Sequence, residues 1–160
     1  MGLGKTIQAL TLLSLHKEEG VHLILCPKSL IYTWEAEVKK FLPDLKILII
    51  DGESSHRKEL LKEASKYNLL ISSYSLLQKD YQHYLDEDIQ PYITILDEAH
   101  YLKNMHTQSS KAVRLLPAKH RFLLTGTPLE NNLDELYSAF ELIMPGYLGE
   151  RNEFRREFML

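Results

Sequence analysis

A glycine-rich run at the start of the chain leads directly into a helical pattern of apolar residues. Gly4, Lys5 and Thr6 have the order in which a phosphate-binding loop of the form G-x-x-x-x-G-K-[ST] ends. Backbone N–H groups in such a loop converge on phosphate oxygens, and the helix start adds a partial positive charge. Lys5 would then reach the β- and γ-phosphates of a nucleotide, and the Thr6 hydroxyl would bind Mg²⁺. The candidate nucleotide-binding residues of this run are Gly2, Leu3, Gly4, Lys5 and Thr6.

Two other interpretations of this run stay open, because the first glycine of the loop pattern would fall before Met1. One is a frayed, glycine-rich chain start that binds no ligand. The other is N-myristoylation, since Met1-Gly2 with Thr6 fits that pattern. No polybasic patch accompanies the pattern, and a single acyl chain anchors a protein weakly.

A second candidate is an apolar segment, residues 93–96, that ends in two adjacent acids. Asp97 can hold Mg²⁺ directly or through a water, and Glu98 can orient and polarise an attacking water. Neighbouring residues on a strand point to opposite faces, so the two acids reach different targets only if the strand ends there. A solvated acidic turn is the alternative for this segment alone. Its combination with Lys5 and Thr6 in one α/β domain favours the magnesium and water site.

A third apolar segment, residues 121–124, is followed by two threonines on either side of a glycine, which are Thr125, Gly126 and Thr127. Such a site can sense a γ-phosphate and couple that change to neighbouring loops. A simple turn is the alternative interpretation for this segment alone.

Hydroxyl and basic groups follow two further strand candidates and the acidic pair. They could hold phosphates of a nucleic-acid backbone, which is the contact that positions a protein without reading sequence. Helix caps and exposed loops are the alternatives. The residues are Lys28, Ser29, Ser73, Tyr74, Lys103 and Asn104.

The aromatic and histidine residues add less to the functional prediction. Trp34 lies on the apolar face of a predicted helix, which favours core packing over base stacking. The seven histidines lack the spacing of a protein-only metal site. His100 follows the acidic pair and is predicted to connect the nucleotide to neighbouring loops.

Short apolar segments alternate along the chain with segments of helical periodicity. This alternation predicts crossover units and a parallel α/β sheet covered by helices on both faces. The predicted strands are residues 21–26, 46–50, 68–73, 93–96 and 121–124, and the predicted helices are residues 6–15, 29–41, 54–64, 76–84, 109–116 and 133–143. A further charged helix follows Gly149, and its apolar stripe of Phe154 and Phe158 is expected to need a partner beyond Leu160.

Length and composition limit the class of protein. A chain of 160 residues fits one domain. The net charge is −3, but residues 1–80 have 11 basic and 10 acidic side chains whereas residues 81–160 have 8 and 12. Nucleic-acid contacts are therefore expected from local patches, mainly in the first half. The single cysteine, Cys26, excludes an internal disulfide and a zinc ribbon, and no apolar run is long enough to span a membrane.

The motifs, in this order, resemble those of the Swi/Snf-type ATPases of helicase superfamily two. The resemblance covers nearly the whole chain, and its most specific parts are the Asp-Glu-Ala-His box and the Thr-Gly-Thr-Pro run. Residues 140–149 look closest to bacterial members. The matching segments are MGLGKTIQAL, LILCPKSLIYTWEAEVKKF, LLISSYSLL, LDEAHYLKN and LLTGTPLENNLDELYSAFELIMPGYLG.

The resemblance implies an amino-terminal RecA-like lobe that couples ATP and Mg²⁺ to translocation on double-stranded DNA and to remodelling of protein–DNA complexes. A strand-separating or RNA-acting helicase and a non-enzymatic nucleotide- or DNA-binding module remain alternatives. The resemblance also implies that the protein is located in the bacterial nucleoid or in a eukaryotic nucleus, and that it has no membrane partner. The resemblance implies that phosphate and Mg²⁺ bind at Lys5 and Thr6, that Mg²⁺ also binds at Asp97, and that Glu98 activates water. It implies that the nucleotide is coupled to DNA through Thr125 and Thr127. It further implies that the DNA backbone is contacted by Lys28, Ser29, Ser73 and Tyr74, and that the acidic box is extended by Lys103 and Asn104.

The resemblance also predicts a domain organisation. Residues 1–149 match the ATP-binding lobe without its first, central strand, and residues 150–160 would begin the connection to a second lobe. A missing central strand would leave two neighbouring strands with unpaired backbone groups, each costing about 1–3 kcal/mol. We therefore expect a piece of a longer protein, or the product of a shifted start or split gene. The isolated chain is expected to hydrolyse ATP poorly, because an arginine from a second lobe is typically worth about 10³–10⁵ in rate.

Overall fold

Five short apolar segments form one parallel sheet in the computed structural model, which describes residues 4–102, 104–126 and 133–158. The strands pair in the order β2-β3-β1-β4-β5. Every residue of β1 and β3 is buried, as expected where helices cover both faces of a parallel sheet. The predicted α/β class is confirmed. The strands are β1 (His22–Cys26), β2 (Ile47–Ile49), β3 (Leu69–Ser73), β4 (Ile93–Asp97) and β5 (His120–Leu124).

Seven α-helices connect and flank these strands within the described ranges. Alternate residues of β1 point to opposite faces of the sheet, because a strand has a side-chain period of two. Leu23 and Leu25 join the core under α3, α4 and α5, whereas Ile24 and Cys26 join the core under α1 and α2. The helices are α1 (Lys5–Leu15), α2 (Ile31–Phe41), α3 (Ser54–Lys62), α4 (Tyr74–Asp86), α5 (Gln108–Leu115), α6 (Leu133–Ile143) and α7 (Arg151–Phe158). None of them is long and apolar enough to cross a membrane.

The five described strands pair without an interior gap. β1 lies between β3 and β4, and β4 lies between β1 and β5, so both central strands have partners on each side. The prediction that two strands inside the sheet would have unpaired backbone groups is therefore wrong for the described strands, because the strands in the middle of the sheet, β1 and β4, are each paired on both sides. Within the described residues, the strands with one partner are the outer ones, β2 and β5. In β5, Phe122 is 40% exposed.

The last helix packs on the rest of the domain. The Phe154 ring of α7 contacts the Tyr137 ring of α6 at a centroid distance of 5.3 Å and is buried. Asp134 accepts hydrogen bonds from both Arg151 and Arg155, which ties the two helices together. The expectation that this helix needs a partner beyond Leu160 was thus wrong for Phe154, because α6 supplies its apolar contact.

A buried ion pair joins α3 to α4. The Arg57 guanidinium donates from Nε and Nη2 to the two carboxylate oxygens of Asp80, at 2.6 and 2.7 Å. Both residues are buried, and such a paired, bidentate arrangement satisfies charges that would be costly alone. The pair fixes α4, whose first residue, Tyr74, lies at the carboxyl edge of the sheet described below.

At the amino edge of the sheet, the side chain of His22 is fully buried. Its Nε2 lies 3.0 Å from the His16 carbonyl oxygen, and its Nδ1 is buried without a hydrogen-bond partner. Burial lowers the pKa of His22 below 6.5, because the charged imidazolium loses hydration there.

The lowered pKa of His22 predicts a stability that depends on pH. Between the pKa of His22 in the folded protein and 6.5, the unfolded chain binds more protons than the folded protein does. The free energy of unfolding should therefore fall as the pH decreases through this interval, and the contribution of His22 to stability should be complete above pH 6.5. Urea unfolding at fixed ionic strength across this interval measures the slope. His22→Gln should flatten the slope and His56→Gln, at an exposed position, should keep it; an equal slope in His22→Gln would contradict the assignment.

Candidate nucleotide-binding site

The acidic pair lies at the carboxyl edge of the sheet where the direction of strand order reverses. β1 and β4 are neighbours, yet the connection after β1 leads towards β2 and the connection after β4 leads towards β5. Ligands of open parallel sheets bind in the crevice that such a reversal opens. Asp97 is the last residue of β4 and occupies this position, next to the end of β1.

The Asp97 carboxylate is held by two hydrogen bonds from the protein. The Trp34 indole donates from Nε1 to Asp97 Oδ2 at 2.8 Å, and the backbone N–H of Glu98 donates to Oδ1 at 3.0 Å. Burial raises the pKa of Asp97, and the hydrogen bonds from Trp34 and Glu98 and the positive charge of Lys5 oppose that rise. The carboxylate is therefore half-buried and oriented by its two donors.

The chain turns sharply after Asp97, which separates the two acids. Glu98 has φ 51°, a left-handed conformation that is uncommon for a residue with a side chain. β4 ends at Asp97, which is the condition that the sequence sets for the two acids to reach different targets. Glu98 Oε2 lies 3.0 Å from His100 Nδ1, an ion-pair distance without hydrogen-bond alignment. In the described structure His100 thus contacts the proposed water-activating acid.

The amino end of α1 lies against the end of β5. Lys5 Nζ is 3.3 Å from the position that a Cβ would take at Gly126, so the glycine leaves room for the ammonium group. Gly4 precedes α1 with φ 70°, a conformation that glycine adopts without strain. Among the described residues no side chain caps α1 and its first turn has no acid, and the unpaired N–H groups of a helix start are suited to binding an anion.

The donor groups at this edge fit a magnesium-bound nucleotide. Mg²⁺ prefers oxygen ligands, and in nucleotide sites it uses one or two carboxylates with substrate phosphates and waters. Asp97 supplies an oriented carboxylate and Thr6 a hydroxyl in the first turn of α1. Lys5 is a cation at the same edge. Within the described ranges, no group of three or more His, Cys, Asp or Glu side chains is arranged to hold a metal ion.

Four of the predicted site residues are outside the part of the chain that the structure describes. Gly2, Leu3, Lys103 and Thr127 lie outside the described residues. Thr125 and Gly126 are described, and they directly follow β5 beside β4.

The predicted DNA-backbone residues separate into exposed and buried groups. Lys28 and Ser29 are exposed in a 3-10 turn, Lys28–Leu30, at the carboxyl end of β1. Lys28 Nζ lies 3.5 Å from Asp51 Oδ1. Asn104 is exposed, and its side-chain oxygen accepts from the His106 N–H at 3.0 Å, which is the local loop role considered as the alternative.

The predicted DNA contacts of Ser73 and Tyr74 need correction, because both side chains are buried. Ser73 caps α4 by accepting the Leu76 N–H at 3.3 Å. The Tyr74 hydroxyl donates to the Asp97 carbonyl oxygen at 2.6 Å. A helix that starts directly after a strand turns these two side chains inwards.

Sequence reasoning missed one residue of the site, which is Trp34. The apolar stripe of its helix correctly predicts core packing, since Trp34 is 4% exposed. Helical periodicity contains no signal for the partner of the indole N–H. A buried indole N–H usually finds an acceptor, and that rule was the available clue.

Comparisons with known proteins show the family to which this chain belongs. A family model described as the SNF2-related domain matches residues 1–160. The chain belongs to the SNF2-related domain family. It is 43% identical over 159 residues to Helicase swr1 of Schizosaccharomyces pombe, covering 95% of the chain and 12% of that protein. It is 35% identical over 173 residues to the TATA-binding protein-associated factor MOT1 of Saccharomyces cerevisiae, covering 99% of the chain and 9% of that protein.

A solved structure of the same family has the same fold. The Sulfolobus solfataricus SWI2/SNF2 ATPase core in complex with dsDNA superposes with a TM-score of 0.85 at 34% identity, covering 99% of this chain and 33% of that one. The chain thus spans about a third of that core and about an eighth or less of the two curated relatives. The expected likeness to bacterial members is not supported, since these curated relatives are eukaryotic.

We predict that Gly126→Ala weakens nucleotide binding several-fold with little change in the unfolding midpoint. The added methyl group would stand 3.3 Å from Lys5 Nζ, and a flexible lysine end moves more easily than backbone. Titration with a fluorescent ATP analogue measures the effect. In a Lys5→Ala background the same substitution should have no further effect, because the two changes act through one contact; additive losses would contradict this mechanism.

Proposed function

We propose that this chain is the first ATP-binding lobe of a DNA-dependent ATPase that translocates on double-stranded DNA and remodels protein–DNA complexes. The main support is the position of Asp97, which Trp34 holds at the strand-order reversal, with Lys5 Nζ next to Gly126 just after the neighbouring strand β5. Family membership and the likeness to an SWI2/SNF2 ATPase core support the same activity. Of the two relatives named above, one is a helicase by name and the other is a factor associated with the TATA-binding protein.

The residues divide the chemistry between phosphate binding, metal binding and water activation. Lys5 and the first N–H groups of α1 bind the β- and γ-phosphates, where the ammonium group offsets their charge. Asp97 and Thr6 hold Mg²⁺, which supplies charge stabilisation for phosphoryl transfer when bound. Glu98 accepts a proton from, or orients, the attacking water, and it lies in the left-handed turn that directly follows Asp97. The contact with His100 restricts where the Glu98 carboxylate can point.

Gly2 and Leu3 complete the phosphate loop in this proposal, and Thr125, Gly126 and Thr127 couple the nucleotide to DNA. Lys28, Ser29, Lys103 and Asn104 face the DNA backbone. Residues 1–149 form the lobe, and residues 150–160 lead towards a second RecA-like lobe that completes the active site. The eukaryotic relatives favour a nuclear location.

The deciding experiment is ATP hydrolysis by the natural protein that contains this chain, with and without duplex DNA. We expect hydrolysis that duplex DNA stimulates. Lys5→Ala should abolish hydrolysis by weakening nucleotide binding. Glu98→Gln should keep nucleotide binding and lower the rate by about 10²–10⁴-fold, as expected for loss of a general base.

The 160-residue chain alone should show little turnover, and robust turnover by it would contradict the need for a second lobe. Equal stimulation by single-stranded RNA would favour an RNA-acting helicase. Nucleotide or DNA binding without turnover in the natural protein would favour a non-enzymatic module.

A separate prediction concerns the DNA interface. Lys28→Ala should reduce the salt dependence of duplex DNA binding by about one unit of log–log slope, because one phosphate contact is lost. Lys46→Ala is the matched control, since Lys46 is an exposed lysine just before β2, at the opposite edge of the sheet. Binding isotherms between low and moderate salt measure both slopes. An equal change in the two variants would contradict a DNA contact at Lys28.

A further inference from the structure

The buried indole N–H of Trp34 donates a hydrogen bond to the Asp97 carboxylate. The two residues are 63 positions apart, and Nε1 lies 2.8 Å from Oδ2. Trp34 is 4% exposed and belongs to the apolar core between α1, α2 and the sheet. An indole has one donor and no acceptor, so the ring orientation that packs in this core also fixes the direction of the hydrogen bond.

The described hydrogen bonds to the Asp97 carboxylate leave lone pairs that a cation can use. Oδ2 accepts from Trp34 and Oδ1 accepts from the Glu98 backbone N–H. An ionised carboxylate has about four lone-pair positions, and these two bonds use one on each oxygen. Among the described residues, these two bonds fix the plane of the carboxylate and leave a lone pair on each oxygen for a metal ion.

A second aromatic donor holds the backbone of the same residue. Tyr74, the first residue of α4, donates from its hydroxyl to the Asp97 carbonyl oxygen at 2.6 Å and is 6% exposed. This bond lies directly before the left-handed turn at Glu98. It fixes the end of β4 at the point where the chain changes direction, and so fixes the base from which the Asp97 side chain extends.

We propose that Trp34 and Tyr74 are positioning residues that hold the Asp97 carboxylate in the orientation in which it receives Mg²⁺. The inference rests on the proposed function, in which Asp97 binds the metal. Trp34 acts on the carboxylate from α2 and Tyr74 acts on its backbone from α4, so helices on opposite faces of the sheet support one ligand. Groups that orient a ligating carboxylate contribute to metal affinity without touching the metal.

The test measures how much Mg²⁺ strengthens nucleotide binding in the natural full-length protein. A fluorescent, non-hydrolysable ATP analogue is titrated once with EDTA and once with saturating Mg²⁺, and the ratio of the two dissociation constants gives the gain from the metal. The variants are Trp34→Phe, which keeps an aromatic ring without the N–H, and Tyr74→Phe, which removes one oxygen. Tyr81→Phe is the matched control, because Tyr81 is on the same helix and donates to the Leu115 carbonyl oxygen.

We expect Trp34→Phe to lower the gain from Mg²⁺ by about 10–100-fold, the range seen when a group that orients a metal ligand is removed. Tyr74→Phe should lower the gain in the same direction, and Tyr81→Phe should leave it unchanged. Affinity in EDTA should stay at the unaltered value in all three, because phosphate binding at α1 does not involve these residues. A merely structural role would instead lower the affinity in EDTA and the unfolding midpoint together.

An unchanged gain from Mg²⁺ in both Trp34→Phe and Tyr74→Phe would overturn the inference while leaving the proposed function intact. Equal losses with and without Mg²⁺ would also overturn it. If Trp34→Phe unfolds below the assay temperature, Tyr74→Phe gives the deciding measurement. Absence of any Mg²⁺-dependent nucleotide binding in the unaltered protein would overturn the proposed function, and this inference with it.

Discussion

The carboxylate of Asp97 must remain ionised and oriented in a place that is unfavourable for its charge. Burial at the end of β4 raises its pKa, and the N–H groups of Trp34 and Glu98 and the charge of Lys5 counteract that effect. A bound cation would add a stronger compensation of the same sign. The other contacts at this edge, from the glycine beside Lys5 to the turn at Glu98, can be understood as placing donors and cations around this one acid.

The fold meets this requirement through strand order. A parallel sheet brings the carboxyl ends of all strands to one edge, and the reversal between β1 and β4 opens space there. The helices on the two faces then reach the same point, with Trp34 from α2 and Tyr74 from α4. α2 follows the turn that contains exposed Lys28, and its Trp34 bonds to Asp97, so one helix connects the proposed DNA contact with the carboxylate proposed to bind the metal.

The sequence predicted the elements well because buried parallel strands and amphipathic helices have distinct periodicities, as in residues 93–97 and 31–41. The two motifs also predict that Lys5 and Asp97 serve one ligand, and the structure has Lys5 Nζ next to Gly126, just after the strand that pairs with β4. The sheet order was not predictable, since it depends on contacts between distant segments, and the predicted interior gap failed for that reason. The hydrogen-bond partners of buried side chains could not be predicted from the sequence either. Tyr74 follows a strand and was predicted to contact DNA, but its hydroxyl donates to the Asp97 carbonyl oxygen.

The most direct test of the account is the position of a metal ion in a crystal of the natural protein with Mn²⁺ and a non-hydrolysable ATP analogue. Mn²⁺ takes oxygen ligands similar to those of Mg²⁺ and can be located by its anomalous scattering. We predict one Mn²⁺ peak that contacts the Asp97 carboxylate and the Thr6 hydroxyl, with the Trp34 hydrogen bond intact. A nucleotide-bound Mn²⁺ with no contact to Asp97 would contradict the account.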